Sequence, residues 1–494
     1  PSSQQNTVTK NSVVVGYQNN TTGGPSNESG KIVYGAANTA NRESSLAIGN
    51  QNNATNKSAS AIGVGNTASG EASVAMGNQA KALADYTVAV GSGAQATAME
   101  GVAVGRGTRA TGGKSTAIGN EAKAQGDRNV SIGYKTDSQR DDSIAIGSEV
   151  SALTGHNIAI GSAGTKAQSA DSTSASLGLA IGINAQAVAA TAKDYDLIAI
   201  GNQTKATANA STAIGTLAQA TGNNSTAIGN KANASGSGSI AFGQVTTANA
   251  HGALAMGNGA SSTGVGATAL GRTAKAANDS SVAVGWNATA TGDRAIAIGG
   301  DGKGAAFTDS PGTFGAEGNK TTASANNAIA VGYKATANIE GGVALGSESK
   351  TTKDAGEIGY NPATSRTNDY KNLTNNTKAA LTSTRAAVSI GDDSAGITRQ
   401  LTGLAAGTQD TDAVNVAQLK AVNLKYAGDT GNSDVLLKDG TLNVKGDTKL
   451  ISTSADATGI KVTAKVGDNI TTNTDGKAVA PTTNGIATTD NVTQ

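Results

Sequence analysis

The chain has 494 residues, yet only 3% are aromatic and 37% hydrophobic, while glycine numbers 66. So few large apolar side chains exclude one thick core, leaving either disorder or small side chains stacked in a thin repeated fold. Thirty-seven basic and 36 acidic residues lie spread along the chain with no basic block, so nucleic-acid binding has no footprint, and the lack of cysteine removes disulfide and thiolate-metal chemistry.

In chain order, the first recognisable element is Val13-Val14-Val15-Gly16. From Gly35 a motif of apolar–Ala–apolar–Gly recurs, with closing glycines at 35, 49, 63, 77, 91, 105, 119, 133, 147 and 161, a constant step of 14. After longer steps to Gly182 and Gly201 the register resumes at 215 and runs by 14 to Gly299; Gly332 and Gly346 follow. Over these 21 glycines the residue two before is Ala, with Val33 and Ser131 the exceptions, and the residue just before is always apolar. That column includes Ile48, Met76, Val90, Ile118, Ile146, Ile214, Ile228, Leu270, Val284 and Ile298, which we take as the core of the repeat. Disordered low-complexity sequence does not hold such columns.

Each motif reads as a short strand, with its branched residues on one face and Ala on the other. The glycine then permits a turn or a close backbone approach. A weaker A-x-A alternation downstream, as in Ala80-Lys81-Ala82, reads as a second strand. Two strands and two turns per repeat describe one coil of a parallel β-solenoid; about 23 coils at roughly 4.8 Å would make a rod on the order of 110 Å long. The motif strand is apolar on both faces, so one face fills the coil while the other, left in water, would form a long apolar stripe. Burial against identical neighbours resolves this, though sequence does not say which face is which.

Steps of 21, 19 and 33 residues break the period at 162–178, 183–197 and 300–327, and these segments are expected to protrude as loops. The last carries Phe307, Pro311 and Phe314 among glycines, and with Trp286 they form a candidate binding surface. Tyr17 and Tyr134, like Trp286, follow motif glycines. His156 and His251 stand without partners at ligand or triad spacing, and Asp141-Asp142 lacks the spaced acidic set of a calcium loop. No catalytic residue, cofactor or metal site is expected. Thr212, Thr226 and Thr268 share a column, but Val and Ile fill most of it, which argues against an ice-binding array.

The 14-residue repeat, in step and in columns, resembles the YadA-type head of trimeric autotransporter adhesins. The resemblance implies an all-β, left-handed parallel β-roll assembled as a homotrimer. Thr398-Arg399-Gln400-Leu401 through Gly407, leading into Asp412, Ala413, Val414, Asn415, Val416, Ala417, Gln418 and Leu419, resembles the family's neck. Thr411 or Asp412 reads as an N-cap there, with Val416, Leu419 and Val422 at helical spacing. Residues 426–494 lose the period; Tyr426–Asp429 and Gly440–Val444 read as strands of a small β module of the Trp-ring or GIN-like type, although the single tryptophan lies elsewhere.

The expected organisation is therefore a head over 1–395 with insertions near 162–178, 183–197, 300–327 and 347–390, a neck over 396–425, and a β module over 426–494. The implied function is adhesion at a bacterial surface, to host matrix proteins, cells or abiotic surfaces. A non-adhesive spacer, a phage-type fibre segment and a β-solenoid enzyme are the alternatives. No apolar run reaches the roughly 20 residues of a membrane span and no leader pattern opens the chain, so the outer-membrane anchor is expected beyond these residues.

Overall fold

A computed structural model of the chain describes residues 5–9, 11–23, 28–168, 177–191, 195–300, 319–361, 366–367, 374–375, 378, 381–409, 411–436, 440–447, 449–483 and 485–492. It divides into two units, Pro1–Arg399 and Gln400–Gln494.

The first unit is a parallel β-solenoid. Its motif strands, from Val13–Tyr17 to Val388–Ser389, stack into one sheet of 23 strands, and the A-x-A strands, from Thr39–Ala40 to Thr336–Ala337, form a second of 20. Pairing keeps the period: Ile144, Ala145 and Ile146 lie beside Ile158, Ala159 and Ile160. The long steps do not disturb it, since Ile296–Ile298 pairs with Ile329–Val331 across the widest one.

The alanines decide the interior. Ala145, Ala159, Ala213, Ala283 and their equivalents are fully buried between the two sheets, as are Ala96, Ala110 and Ala124 of the second. Residues flanking the motif alanine point the other way, as period-2 geometry requires. Each buried methyl contributes only about 0.8 kcal/mol, so stability rests on the number of coils. Close stacking of successive coils explains the closing glycine. At Gly147 φ is +132°, and a Cβ would stand 1.8 Å from the Gly161 carbonyl oxygen.

Both turns of a coil contain a left-handed residue. Glu121 has φ 60° and Arg128 φ 57°, seven positions apart, so a coil consists of two similar halves. At the N-terminal end one interior column changes from alanine to amide, while Ala40, Ala47, Ala54 and Ala61 still fill the others. Asn19, Asn38, Asn52 and Asn66 are buried and stacked, each of the last three donating from Nδ2 to the Oδ1 of the one before, at 3.3, 3.1 and 2.9 Å. Their amides also reach glycine carbonyls one coil on, so every buried polar group of the ladder is engaged.

The expected protrusions are narrower than their sequence limits. Lys166–Gln168, Gln186–Val188 and Thr322–Ala323 are all second-sheet strands in register, so these parts of 162–178, 183–197 and 300–327 belong to the roll. Within 347–390, Tyr360–Asn361 pairs antiparallel with Arg366–Thr367, and the chain then returns so that Val388–Ser389 continues the motif sheet beside Val343–Ala344.

In the second unit a short helix spans Val416–Lys420. Three antiparallel pairs follow: Asn423–Ala427 with Asn432–Leu436, Ile451–Asp456 with Gly459–Ala464, and Thr471–Thr472 with Ala478–Val479. The strand expected at Gly440–Val444 is not formed; Asn432–Leu436 takes the place opposite Asn423–Ala427. Asn432–Leu436 follows directly on the Gly428-Asp429-Thr430-Gly431 turn, which folds it back on Asn423–Ala427.

Candidate interaction surfaces

Three outward surfaces of the roll carry different chemistry. The motif sheet presents the residues one and three before each glycine. Met76, Leu270 and Ile298 are each 41% exposed and Ile118 39%, while Ile48, Val90, Ile146, Ile214, Ile228 and Val284 are half-buried. The column proposed as the core therefore lies outside the alanine interior, on an outer face without a single charged residue from Tyr34 to Leu345. The stripe is roughly 100 Å long and about 7 Å wide, on the order of 700 Å², at or beyond the largest apolar patch of an ordinary monomer.

The turns hold the aromatic and acidic groups. Trp286 is half-buried, with the Arg272 guanidinium of the preceding coil 5.3 Å from its ring centroid, so much of its face is covered within the chain. Tyr134 stays more open, 43% exposed, with the Lys135 ammonium 5.0 Å from its ring centroid and held above its usual range chiefly by the Tyr134 side chain. Tyr17 is exposed on the first coil. Phe307, Pro311 and Phe314 lie outside the described residues.

On the other turn Arg128 donates to both oxygens of Asp142, and His156 Nε2 stands 3.5 Å from Asp142 Oδ2 on the next coil. The hydrogen bond and charge of Arg128 hold the Asp142 carboxyl below its ordinary value. His156 thus stands beside a surface Arg128–Asp142 ion pair, one coil further along. His251 sits on an equivalent turn, its carbonyl accepting from Gly266. Among the described residues no three His, Asp or Glu side chains converge as metal ligands would.

At the start of the second unit the helix is capped by Asn415, not by Thr411 or Asp412. Asn415 Oδ1 accepts from the Gln418 N–H at 2.9 Å and Gln418 Oε1 accepts from the Asn415 N–H at 3.2 Å, a reciprocal box that needs an amide three residues on. Asp412 has a different role. Its carboxylate accepts from the backbone N–H of Thr408 at 2.8 Å and of Gln409 at 3.0 Å, and those two bonds hold its pKa below the usual carboxylate range. Gln418 also ties back to Gly407 through both of its side-chain atoms, at 3.0 and 2.9 Å. Val414, Val416 and Leu419 are 68, 66 and 67% exposed, so the helix buries no apolar side chain within its own chain. Ala413 lies in the same exposed turn.

Two sheets around an alanine interior, repeating every 14 residues, define a repeat-built β-solenoid of the kind that forms fibrous heads. The YadA head domain repeat matches repeatedly between residues 40 and 349, and the coiled stalk of trimeric autotransporter adhesins matches 400–441. The chain belongs to the trimeric autotransporter adhesins. Among its relatives are the trimeric autotransporter adhesin AtaA of Acinetobacter sp. (strain Tol 5), 41% identical over 22% of this chain, and the autotransporter adhesin BadA of Bartonella henselae, 37% identical over 24%. The matched stretches span 3% and 4% of those two proteins. A solved structure, the collagen-binding domain of the Yersinia adhesin YadA, is 30% identical, with a TM-score of 0.27 over 40% of this chain and 82% of that one.

Proposed function

We propose that this chain is the adhesive head, with neck and following β module, of a homotrimeric bacterial surface fibre. In this reading the head is 1–395, the neck 396–425 and the module 426–494, of the Trp-ring or GIN-like type. The observation that carries it is the uncharged apolar face of the motif sheet: two more copies of the roll, packed about an axis, would remove it from water along the whole head. The exposed Val414, Val416 and Leu419 continue the same requirement into the neck, where a helix of five residues is marginal without partner chains.

Adhesion follows from family membership together with geometry. Repeated turns on three chains offer many weak contacts, and avidity multiplies them without a deep pocket. The ligands are host matrix proteins, cell surfaces or abiotic surfaces, with collagen the first to try because the related YadA domain is named for binding it. The fibre works at the cell surface, anchored in the outer membrane through a domain beyond these residues, and is not an enzyme.

The test joins assembly to binding. The intact chain should scatter light as a trimer, and deleting residues 398–425 should shift it toward monomer. In a solid-phase screen the trimer should bind at least one of collagen, fibronectin, laminin and bare polystyrene. A folded monomer with no binding to any of them would overturn the reading.

A further inference from the structure

The near-zero net charge conceals a sorting of charge by column. The apolar motif face carries none, and the turn that precedes the motif strand mixes carboxylates such as Glu71, Asp85, Glu100, Asp127, Asp141 and Asp142 with cations such as Lys57, Lys114 and Arg128. Several of these are already engaged: Asp85 accepts from the Glu71 N–H at 2.7 Å, Asp127 from Gly113 at 2.8 Å and Asp141 from Asp127 at 2.9 Å. The second sheet is different. Its two outward columns, from Asn53 to Asn338, hold six cations and one carboxylate.

Five of those cations, Lys81, Arg109, Lys123, Lys205 and Lys275, are exposed, and Lys166 is half-buried. Among the described residues none of the five has a carboxylate within 4.0 Å. The single acid, Asp137, is occupied by amides, accepting from Gln125 Nε2 at 2.7 Å and Gln139 Nε2 at 2.8 Å. Most side chains between are hydroxyls and amides, among them Gln95, Thr97 and Thr111, with Leu83, Leu153, Val188 and Ala277 the apolar interruptions. In-register parallel stacking spaces these groups by multiples of about 5 Å: Lys81 and Arg109 are two coils apart, Arg109 and Lys123 one.

We propose that this sheet face is a docking track for a linear acidic polysaccharide. Its sulfate or carboxylate groups meet Lys81, Arg109, Lys123, Lys205 and Lys275, and the interleaved Gln and Thr side chains exchange hydrogen bonds with its hydroxyls. The two columns offer no aromatic ring on which a base would stack, which favours a glycan over a single-stranded nucleic acid. The proposal rests on the assembly above in that burial of the motif sheet leaves the second sheet turned to solvent.

Heparin is the probe. The intact chain is applied to immobilised heparin at low salt and its affinity followed as salt rises, beside two variants of equal charge loss. One is Lys81→Gln, Arg109→Gln, Lys123→Gln, using a residue this column already contains at Gln95. The other is Lys57→Asn, Lys114→Asn, Lys231→Asn, on exposed turns. The sheet variant should bind more weakly, with the slope of log affinity against log salt reduced by about 2 to 3, while the turn variant stays near the parent. Equal binding by the sheet variant and the parent, equal weakening by both variants, or tighter binding of a single-stranded oligonucleotide than of heparin would each overturn the proposal. Light scattering on the same samples separates the two ideas. A trimer that ignores heparin removes the track alone, and a monomer that binds it through these residues removes the assembly alone.

Discussion

Ala145 and Ile146 are neighbours in one motif strand, and the fold predicts opposite kinds of damage at them. Ala145 is fully buried among other alanines, so Ala145→Leu forces three extra carbons between sheets that have no room. Overpacking of that kind costs about 1–3 kcal/mol in each chain, whether or not chains associate. Ile146 points outward and is only half-buried, so in a lone chain Ile146→Asp should change stability by no more than about 0.5 kcal/mol. In an assembly that covers the stripe the same change forfeits about 1.5–3 kcal/mol of burial per chain and leaves carboxylates without partners. Thermal melts by circular dichroism at two concentrations, with light scattering, tell these apart. Ala145→Leu should lower the melting temperature equally at both, whereas Ile146→Asp should lower it mainly where the parent is associated, and should reduce the scattering mass. An Ile146→Asp protein with parental mass and melting would refute the buried stripe; an unperturbed Ala145→Leu would refute the alanine interior.

Tyr86 holds φ +59° with its ring 56% exposed, so Tyr86→Gly removes a left-handed penalty and little packing. A denaturant midpoint raised by about 1 kcal/mol of stability is expected, and a lowered midpoint would show that the ring contributes more than the backbone costs. Asp412 has its folded pKa below its unfolded one, so its contribution is present above the ordinary carboxylate value near 4 and is lost as pH falls through the depressed folded value. Protease susceptibility of the 400–425 segment should therefore rise on acidification below about pH 4, and Asp412→Asn should flatten that rise; an unchanged profile would show that the Thr408 and Gln409 contacts do not order the turn.

The coil was legible because its constraint is repeated. A closing glycine that meets the next glycine's carbonyl, and an alanine confined between two sheets, leave the same residue in nearly every copy. The assignment of faces was not legible, since valine or isoleucine beside alanine reads as apolar on either side; only the narrow sheet separation makes alanine the interior residue. The helix cap was misplaced for a local reason. Asp412 and Asn415 are equally good cap residues in isolation, and the choice depends on Gln418 reaching back to Asn415 and Gly407. The basic column escaped notice because sequence-wide charge is balanced, and only stacking at the coil period sets Lys81, Arg109 and Lys123 on one face while sending Asp85, Asp127 and Asp141 to another.

Because each coil bonds only to the one before and the one after, in a register the long steps do not alter, coils behave as exchangeable units. Duplicating or losing one whole 14-residue unit inside the regular run leaves every remaining junction of the same kind, a glycine carbonyl against a glycine and alanine over alanine. Slippage between near-identical repeats in the coding DNA would therefore lengthen or shorten the rod by about 5 Å at a time without passing through an unfoldable intermediate. The asparagine ladder shares that freedom over Asn38, Asn52 and Asn66, since these amides lie 14 residues apart and each donates to the one before in the same way. Variation in reach is thus expected wherever the 14-residue step is unbroken, in the amide-filled column as in the alanine-filled ones.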